Sequence, residues 1–474
     1  MQATDLSGLT IARAAELIRS RAVSPVELTA EYLARIERLN PSINAYVTVT
    51  AERARADARR AADEIAAGNY RGPLHGVPIA LKDLYDTAGI ETAGGAKFLR
   101  GRVPQRDSTP ARKLREAGSV LLGKLNTHEL AYGVTTNNPH FGATHNPWKL
   151  DHIPGGSSGG SGAAIAAGMA VATLGTDTGG SIRIPASLCG CVGLKPTYGR
   201  ASKAGVLPLS YLLDHPGPIV QTVEDAAIVL NVIAGYDPED ATTVRIPVED
   251  YTAKLRGGVQ GLRVGVLRSY FFDRLDNEVR ASVEAAIETL RSLGVEVREV
   301  EIPDIQEVIA SLFGIVLVEA QAIHAEPLST RPGDFGPDVG AILSQPTPPT
   351  AAVAASLRAK DALTVTMRRE LEAVDLLLTP TTPLPAIPIG QETVHYGGAE
   401  DPAIVAFVRC TGPFNASGLP ALSLPCGFTA GGLPIGLQLV GRPFDEATVL
   451  RAGHAYEQAT EWHLKRPALT GTGV

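Results

Sequence analysis

Apolar positions recur at helical spacing over the first seventy residues, and short continuous apolar runs follow. The first predicted helix has its apolar residues on one face: Leu9, Ile11, Ala14, Leu17 and Ile18. A second helix is predicted over 26–39, where Pro25 occupies a favourable first position. From Gly72 onward the runs, such as 77–81 and 119–122, are bounded by glycine and proline. That pattern is typical of buried strands alternating with helices, so we predict an α/β fold.

The C-terminal half continues the alternation. A strand is predicted at 264–267, followed by a helix capped by Asp276 and a returning strand at 295–300. Residues 303–373 are helical pieces broken by Gly and Pro, which we interpret as a variable lid or substrate-facing segment. No repeat or linker is visible, so we predict one large domain over 1–474. Within it we expect an N-terminal helical segment at 1–70 and a core at 72–235.

Composition narrows the function classes. The 474 residues are 44% hydrophobic and 20% charged, which is typical of a water-soluble globular protein. A net charge of -7 gives no support to nucleic-acid binding. The apolar stretch 163–174 is too short to cross a bilayer, which needs about 20 residues. Residues 1–6 lack the pattern of a signal peptide, and four cysteines form no disulfide or zinc pattern, so we expect a cytoplasmic protein without a membrane partner.

Three polar positions among glycines carry the candidate chemistry. Lys82 ends an apolar run, although burying an ammonium group is unfavourable unless it is paired or neutral. Two Gly/Ser loops, 154–161 and 175–181, are joined by an Ala-rich segment that fits a helix out and a strand back. That path allows Ser157 and Ser181 to line one cavity. The N–H groups of the second loop are predicted to form an oxyanion nest: Thr178, Gly179, Gly180 and Ser181.

Other interpretations of the loops stay open. No Gly-Lys-Ser/Thr follows the first loop, which argues against a phosphate-binding loop. The pattern Gly156-x-Ser158-x-Gly160 matches a nucleophile elbow, which would make Ser158 the nucleophile of an α/β-hydrolase-type esterase with His454. An elbow needs a preceding strand, and 151–154 is a poor one. A binding or scaffold protein that keeps the fold without catalysis is a further alternative.

The two loops resemble the amidase signature family over residues 151–199, including the run 175–187. The likeness extends to further segments: 123–130, 146–148, 193–200, 214–218 and 432–441. It implies one α/β domain with a mixed central sheet surrounded by helices. It also implies that Ser181 is the nucleophile, Ser157 a bridging serine after a cis Gly156–Ser157 bond, and Lys82 the base. No metal or cofactor is called for.

The implied mechanism is an acyl-enzyme route in which neutral Lys82 takes a proton from Ser181 through Ser157. We interpret Asp177 and Arg183 as scaffold for the loop, ion-paired to buried partners. The predicted reaction is hydrolysis of a small-molecule carboxamide, extending to aryl amides, esters or carbamates in the manner of a urethanase. Predicted substrate contacts are spread over the chain: Tyr132, Gly133, Ser158, Phe335, Val408 and Phe414.

The main rival within the family is the glutaminase subunit of a tRNA-dependent amidotransferase. Such subunits carry an acidic residue, which holds the substrate's amino group, before the stretch that matches 413–420 here. The corresponding position is Val408, in apolar surroundings. The sequence therefore favours a stand-alone hydrolase with a small-molecule amide partner and no nucleic acid, and it is compatible with a homodimer.

Overall fold

A computed structural model describes residues 6, 8–303 and 305–469, so most of the segment used for the signal-peptide prediction lies outside it. The strands are β1 Tyr46–Val49, β2 Pro78–Lys82, β3 Val120–Leu125, β4 Asn137–Asn138, β5 Gly142–Ala143, β6 Ala172–Asp177, β7 Val192–Lys195, β8 His215–Val220, β9 Arg263–Leu267, β10 Glu296–Val300, β11 Leu376–Pro380, β12 Thr393–Tyr396, β13 Ala399–Pro402, β14 Ala421–Phe428 and β15 Pro434–Gly441.

The helices are α1 Ile11–Arg19, α2 Pro25–Ile43, α3 Ala51–Ala66, α4 Thr109–Glu116, α5 Gly159–Ala166, α6 Arg183–Cys189, α7 Val223–Ile233, α8 Asn277–Ser292, α9 Ile305–Ile323, α10 Ala325–Thr330, α11 Pro337–Leu343, α12 Thr350–Ala373, α13 Ala403–Val408, α14 Gly412–Ala416 and α15 Glu446–Gln458. Ser24 and Glu27 form a capping box at α2, and Asp276 caps α8 as predicted.

Most strands belong to a single mixed sheet of eleven strands in the order β1-β3-β2-β6-β8-β7-β14-β15-β11-β9-β10. Strand β2 is parallel to both neighbours, β3 and β6, whereas β6, β8, β7, β14 and β15 are each antiparallel to the next strand in this order. Helices pack against the sheet, among them α5 against β6, α7 against β8, and α8 against β14. The predicted α/β class with a mixed central sheet surrounded by helices is confirmed.

The parallel pairing of β2 with β6 positions the candidate site. Because both strands run the same way, their carboxyl ends reach the same edge of the sheet. Lys82 is the last residue of β2, and Asp177 is the last residue of β6. Side chains that are far apart in the chain, such as those of Lys82 and Thr176, are thereby brought together at that edge.

Helix α9 is long and apolar enough to cross a membrane by length and composition, with a mean hydropathy of 1.5. The sequence patterns described above did not single it out. Core helices pass the same test, and α9 packs against α12 and α14 and turns Leu312 and Val316 into the protein. In its most apolar window 44% is buried, so burial within the fold accounts for part of its apolar character. The assignment of 303–373 as one variable segment stays a prediction.

Candidate active site

Lys82 is completely buried at the end of β2. Its Nζ lies 2.7 Å from Ser157 Oγ and 2.8 Å from Thr176 Oγ1. Burial lowers the pKa of Lys82 to about 7, against the opposing charges of Asp214 and Asp177. A substantial fraction of this amine is therefore neutral near pH 7 and able to accept a proton from a hydroxyl group.

The segment that carries Ser157 lies against the segment that carries Ser181. The peptide bond between Gly156 and Ser157 is cis, as the family resemblance implies. The next amide, Ser158 N–H, donates to the carbonyl oxygen of Ser181 at 3.3 Å. Helix α5 leads away from this point and β6 returns to it, which is the predicted helix-and-strand path. Ser157 is buried beneath the surface, whereas Ser181 faces a cavity.

The loop after β6 presents backbone N–H groups beside Ser181. Those of Gly179, Gly180 and Ser181 have no protein acceptor among the described residues, whereas the next two amides donate to Asp177. Gly180 has φ +139°, and a Cβ there would lie 2.2 Å from Thr411 Oγ1, so glycine is required. Free N–H groups grouped in a glycine-rich turn are able to bind an anion, so the oxyanion role of this loop stays a prediction.

A buried ion pair between Asp177 and Arg183 joins the two ends of this loop. Arg183 donates to both carboxylate oxygens of Asp177, at 2.8 and 3.0 Å. Burial raises the pKa of Asp177, but the charge and hydrogen bonds of Arg183 outweigh it, so the pKa lies well below its ordinary value. The remaining N–H groups of Arg183 reach Asn415 and Gln438. The two residues interpreted as scaffold thus pair with each other, and no motif indicated the distant amide partners.

The cavity in front of Ser181 is narrow and mainly apolar, with about 40 Å³ available to the centre of a water-sized molecule. Its walls come from the loop 131–134, the Ser181 loop with the start of α6, the loop that carries Leu209, and helices α9 and α13. They are Ala131, Tyr132, Gly133, Val134, Thr178, Gly179, Ser181, Ile184, Leu209, Leu312, Phe313, Val316, Ile404 and Val408. Of the predicted substrate contacts, Tyr132, Gly133 and Val408 lie here.

The other three predicted contacts lie outside this lining. Ser158 is buried, and its hydroxyl donates to the carbonyl of Thr176 at 3.2 Å. Phe335 packs against Phe98, with ring centroids 5.1 Å apart, and Phe414 stacks on Phe271 at 5.7 Å. These aromatic side chains fill the core because their neighbours enclose them, which the local sequence could not reveal.

A second, more polar cavity of about 330 Å³ adjoins the first and shares Tyr132, Gly133, Val134 and Ile404 with it. Its carboxylates belong to Asp338 and Glu392. Contacts at its rim tie the start of α11 to the cavity wall. His128 Nε2 lies 2.9 Å from Asp338 Oδ2, and Glu129 Oε2 accepts from Gly336 N–H at 2.8 Å.

The nucleophile-elbow alternative lacks the required geometry. No strand precedes Ser158 in the described stretch 144–157, and its hydroxyl is engaged with the Thr176 backbone. His454 lies on α15, which packs against α7, and within the described residues no hydrogen bond joins it to Ser158. The structure therefore does not bring this pair together.

A known protein family matches most of the chain. The family model "Amidase" matches residues 27–450. The chain belongs to the amidase signature family. It is 45% identical to a glutamyl-tRNA(Gln) amidotransferase subunit of Trichlorobacter lovleyi, over 95% of this chain and 97% of that protein. This family membership supports cleavage of amide C–N bonds.

Solved structures of amidase signature proteins share the fold. A glutamyl-tRNA(Gln) amidotransferase subunit from Thermotoga maritima is 34% identical with a TM-score of 0.81, covering 97% of this chain and 96% of that one. A chain from a complex described as vestigial, revealing the evolutionary origins of an s-triazine catabolic enzyme, is 37% identical with a TM-score of 0.91. That match covers 95% of this chain and 98% of the other.

These relatives overturn two predictions. The stand-alone hydrolase of small carboxamides is contradicted by full-length relatives that are amidotransferase subunits, and they favour the rival interpretation. That prediction relied on Val408, which stands where such subunits carry an acidic residue. A single residue of the pocket does not determine whether the chain assembles with other subunits. The expectation of no nucleic-acid partner is contradicted by the same relatives, since the net charge of one chain does not report on a complex that acts on tRNA.

Proposed function

We propose that this chain is the glutaminase subunit of a tRNA-dependent amidotransferase. In this role it releases ammonia from the side-chain amide of glutamine through Lys82, Ser157 and Ser181. The observation that carries the chemistry is the 2.7 Å contact between the buried Lys82 Nζ and Ser157 Oγ, beside the Ser181 loop. The full-length relatives support the biological role.

The reaction begins with proton transfer away from Ser181. Neutral Lys82 takes a proton from Ser157, which takes one from Ser181, and Ser181 Oγ attacks the carbonyl carbon. The N–H groups of Thr178, Gly179, Gly180 and Ser181 hold the tetrahedral oxyanion. The proton returns through Ser157 to the leaving nitrogen, the C–N bond breaks, and ammonia departs. Water then cleaves the acyl-enzyme to glutamate and restores the serine.

The two adjoining cavities support glutamine as the substrate in this proposal. The apolar walls near Ser181, including Leu312 and Val408, suit the methylene groups of the side chain. The polar end of the amino acid then reaches the second cavity. There the carboxylates of Asp338 and Glu392 offer acceptors for an ammonium group.

The proposal is tested by ammonia release and by amide transfer. Purified chain is assayed with glutamine, and the same chain is co-expressed with the other subunits of such an amidotransferase and assayed on glutamyl-tRNA(Gln). We expect glutamine-dependent ammonia release, lost in Ser181→Ala, and amidation of the tRNA-bound glutamate by the complex. Failure of the complex to form, with no ammonia released from glutamine, would overturn the proposal. A cytoplasmic location belongs to the same proposal and agrees with the four unpaired, buried thiols.

A further inference from the structure

A partly buried carboxylate, Asp214, connects two loops at the active site. Thr178 Oγ1 donates to Asp214 Oδ1 at 2.6 Å. The other oxygen, Oδ2, accepts from the backbone N–H groups of Leu209 at 2.9 Å and Ser210 at 3.1 Å. Both oxygens therefore accept hydrogen bonds. One bond comes from the loop 178–181, called the oxyanion loop below, and the others come from the loop that contributes Leu209 to the cavity wall.

Thr178 is the point where this carboxylate acts on the oxyanion loop. The residue follows β6 directly and precedes Gly179, which lines the cavity, and Gly180. The next residue is also fixed, since Thr411 Oγ1 donates to the carbonyl oxygen of Gly179 at 2.5 Å. With Gly180 free to adopt φ +139°, the loop needs fixed points to keep its amides aimed at one position.

We propose that Asp214 is a positioning residue for the reaction: its carboxylate fixes Thr178, and through Thr178 the N–H groups that hold the oxyanion. The inference rests on the proposed role of Ser181 and Lys82. It does not depend on glutamine being the substrate. Asp214 touches neither the cavity nor the reacting atoms, so its effect on the rate passes through the loop and through its charge.

The charge of Asp214 also acts on Lys82. Burial lowers the pKa of Lys82, and the charges of Asp214 and Asp177 raise it. Asp177 is neutralised by its two bonds to Arg183. The other charged groups that act on Asp214, or on which it acts, are Lys203 and Glu319, the second of which lies on α9. Removing the Asp214 charge should therefore make the Lys82 ammonium less stable.

The test measures covalent labelling of Ser181 by a small alkyl fluorophosphonate between pH 5.5 and 9. Attack by Ser181 Oγ forms the O–P bond and expels fluoride, while the proton passes to Lys82, so no knowledge of the substrate is needed. Asp214→Asn should label about 10- to 100-fold more slowly at its plateau because the loop is misplaced. The acidic limb of its pH profile, where the labelling rate falls as Lys82 becomes protonated, should also move to lower pH. The shift should be up to about one unit, because Lys82 loses a nearby anion.

Three further variants separate positioning from general damage. Thr178→Val removes the hydroxyl and keeps the carboxylate, so its plateau should fall while the acidic limb stays in place. Thr178→Ser keeps the hydroxyl and should recover most of the rate. Ser210→Ala removes a neighbouring hydroxyl that bonds to Glu319, leaves all three hydrogen bonds to Asp214, and should label within about threefold of the unaltered protein.

An Asp214→Asn protein with the original plateau and the original acidic limb overturns the inference. So does a Ser210→Ala protein that is impaired as strongly as Asp214→Asn. If Asp214→Asn does not fold, the Thr178 pair still decides, since equal rates for the Val and Ser variants also overturn it. Absence of labelling in the unaltered protein refutes the proposed nucleophile instead. Labelling without ammonia release from glutamine refutes only the proposed substrate.

Discussion

Replacing Lys82 with methionine should abolish turnover and, at neutral pH, make the folded protein more stable. The lysine is fully buried, and its pKa falls from 10.5 in water to about 7. That difference corresponds to an unfavourable contribution to folding of about 5 kcal/mol. Methionine removes it while filling a similar volume. The two hydrogen bonds lost, to Ser157 and Thr176, contribute about 1 kcal/mol each.

The stability gained by replacing Lys82 depends on pH. Below pH 7 the amine is protonated in both the folded and the unfolded chain, so the full contribution of ~5 kcal/mol opposes folding. Between pH 7 and 10.5 the unfolded chain binds a proton that the folded chain does not, so the stability of the unaltered protein rises with pH. At pH 9 about 2 kcal/mol remains, which the lost hydrogen bonds offset. We expect the variant to gain about 3 kcal/mol at pH 6.5 and nothing at pH 9.

Denaturant unfolding at pH 6.5 and pH 9 measures the effect, and fluorophosphonate labelling confirms the loss of activity. Lys124→Met is the matched control. Lys124 is also buried, but its Nζ lies 3.5 Å from Asp83 Oδ1. Its removal leaves that carboxylate unpaired, so we expect a loss of about 3 kcal/mol. A Lys82→Met protein that is destabilised equally at both pH values, or that keeps its labelling rate, would refute the reasoning.

Three further outcomes are expected. Ser181→Ala should lose about 10⁴-fold or more of its turnover with unchanged unfolding, measured by ammonia release and circular dichroism. Gly180→Ala should be labelled about 100-fold more slowly, because its Cβ would lie 2.2 Å from Thr411 Oγ1. Gly179→Ala should have a smaller effect, because its Cβ comes no closer than 3.5 Å to Val408. Equal labelling rates for the two variants would contradict this reasoning. Asp177→Asn leaves Arg183 buried without its carboxylate, so urea unfolding should show a loss of about 3–5 kcal/mol, and a loss below about 1 kcal/mol would contradict the pairing.

Local sequence patterns were sufficient to predict several of the helices and strands. The helices at 11–19 and 25–43 and the strand that ends at Lys82 follow from apolar periodicity and from short buried runs. Strand β8 was missed because it contains Pro216 and Pro218, which argue against a central strand. It nevertheless lies between β6 and β7, and β7 pairs only with Ile219 and Val220, so the two prolines have a strand partner on the β6 side alone.

The candidate site also contains residues that local motifs reveal and residues that only the fold brings together. Lys82, Ser157 and Ser181 sit in recognisable motifs, and the structure brings the first two into contact at the edge of the sheet where β2 and β6 end. The residues that support them come from far away in the chain. Asn415 and Gln438 reach Arg183 from more than 200 positions away, and no periodicity links them. Such contacts exist only once the sheet has set the distance between its strands.

The two overturned predictions share a physical cause. The apolar residue Val408 describes one wall of a cavity, and the net charge describes an average over the whole surface. Assembly with other subunits depends on neither quantity, because it is decided by the shape and chemistry of particular surface patches. A chain of net charge -7 can serve a complex that acts on tRNA when other subunits supply the phosphate contacts. Motif and charge therefore constrain the reaction of this chain more tightly than they constrain its partners.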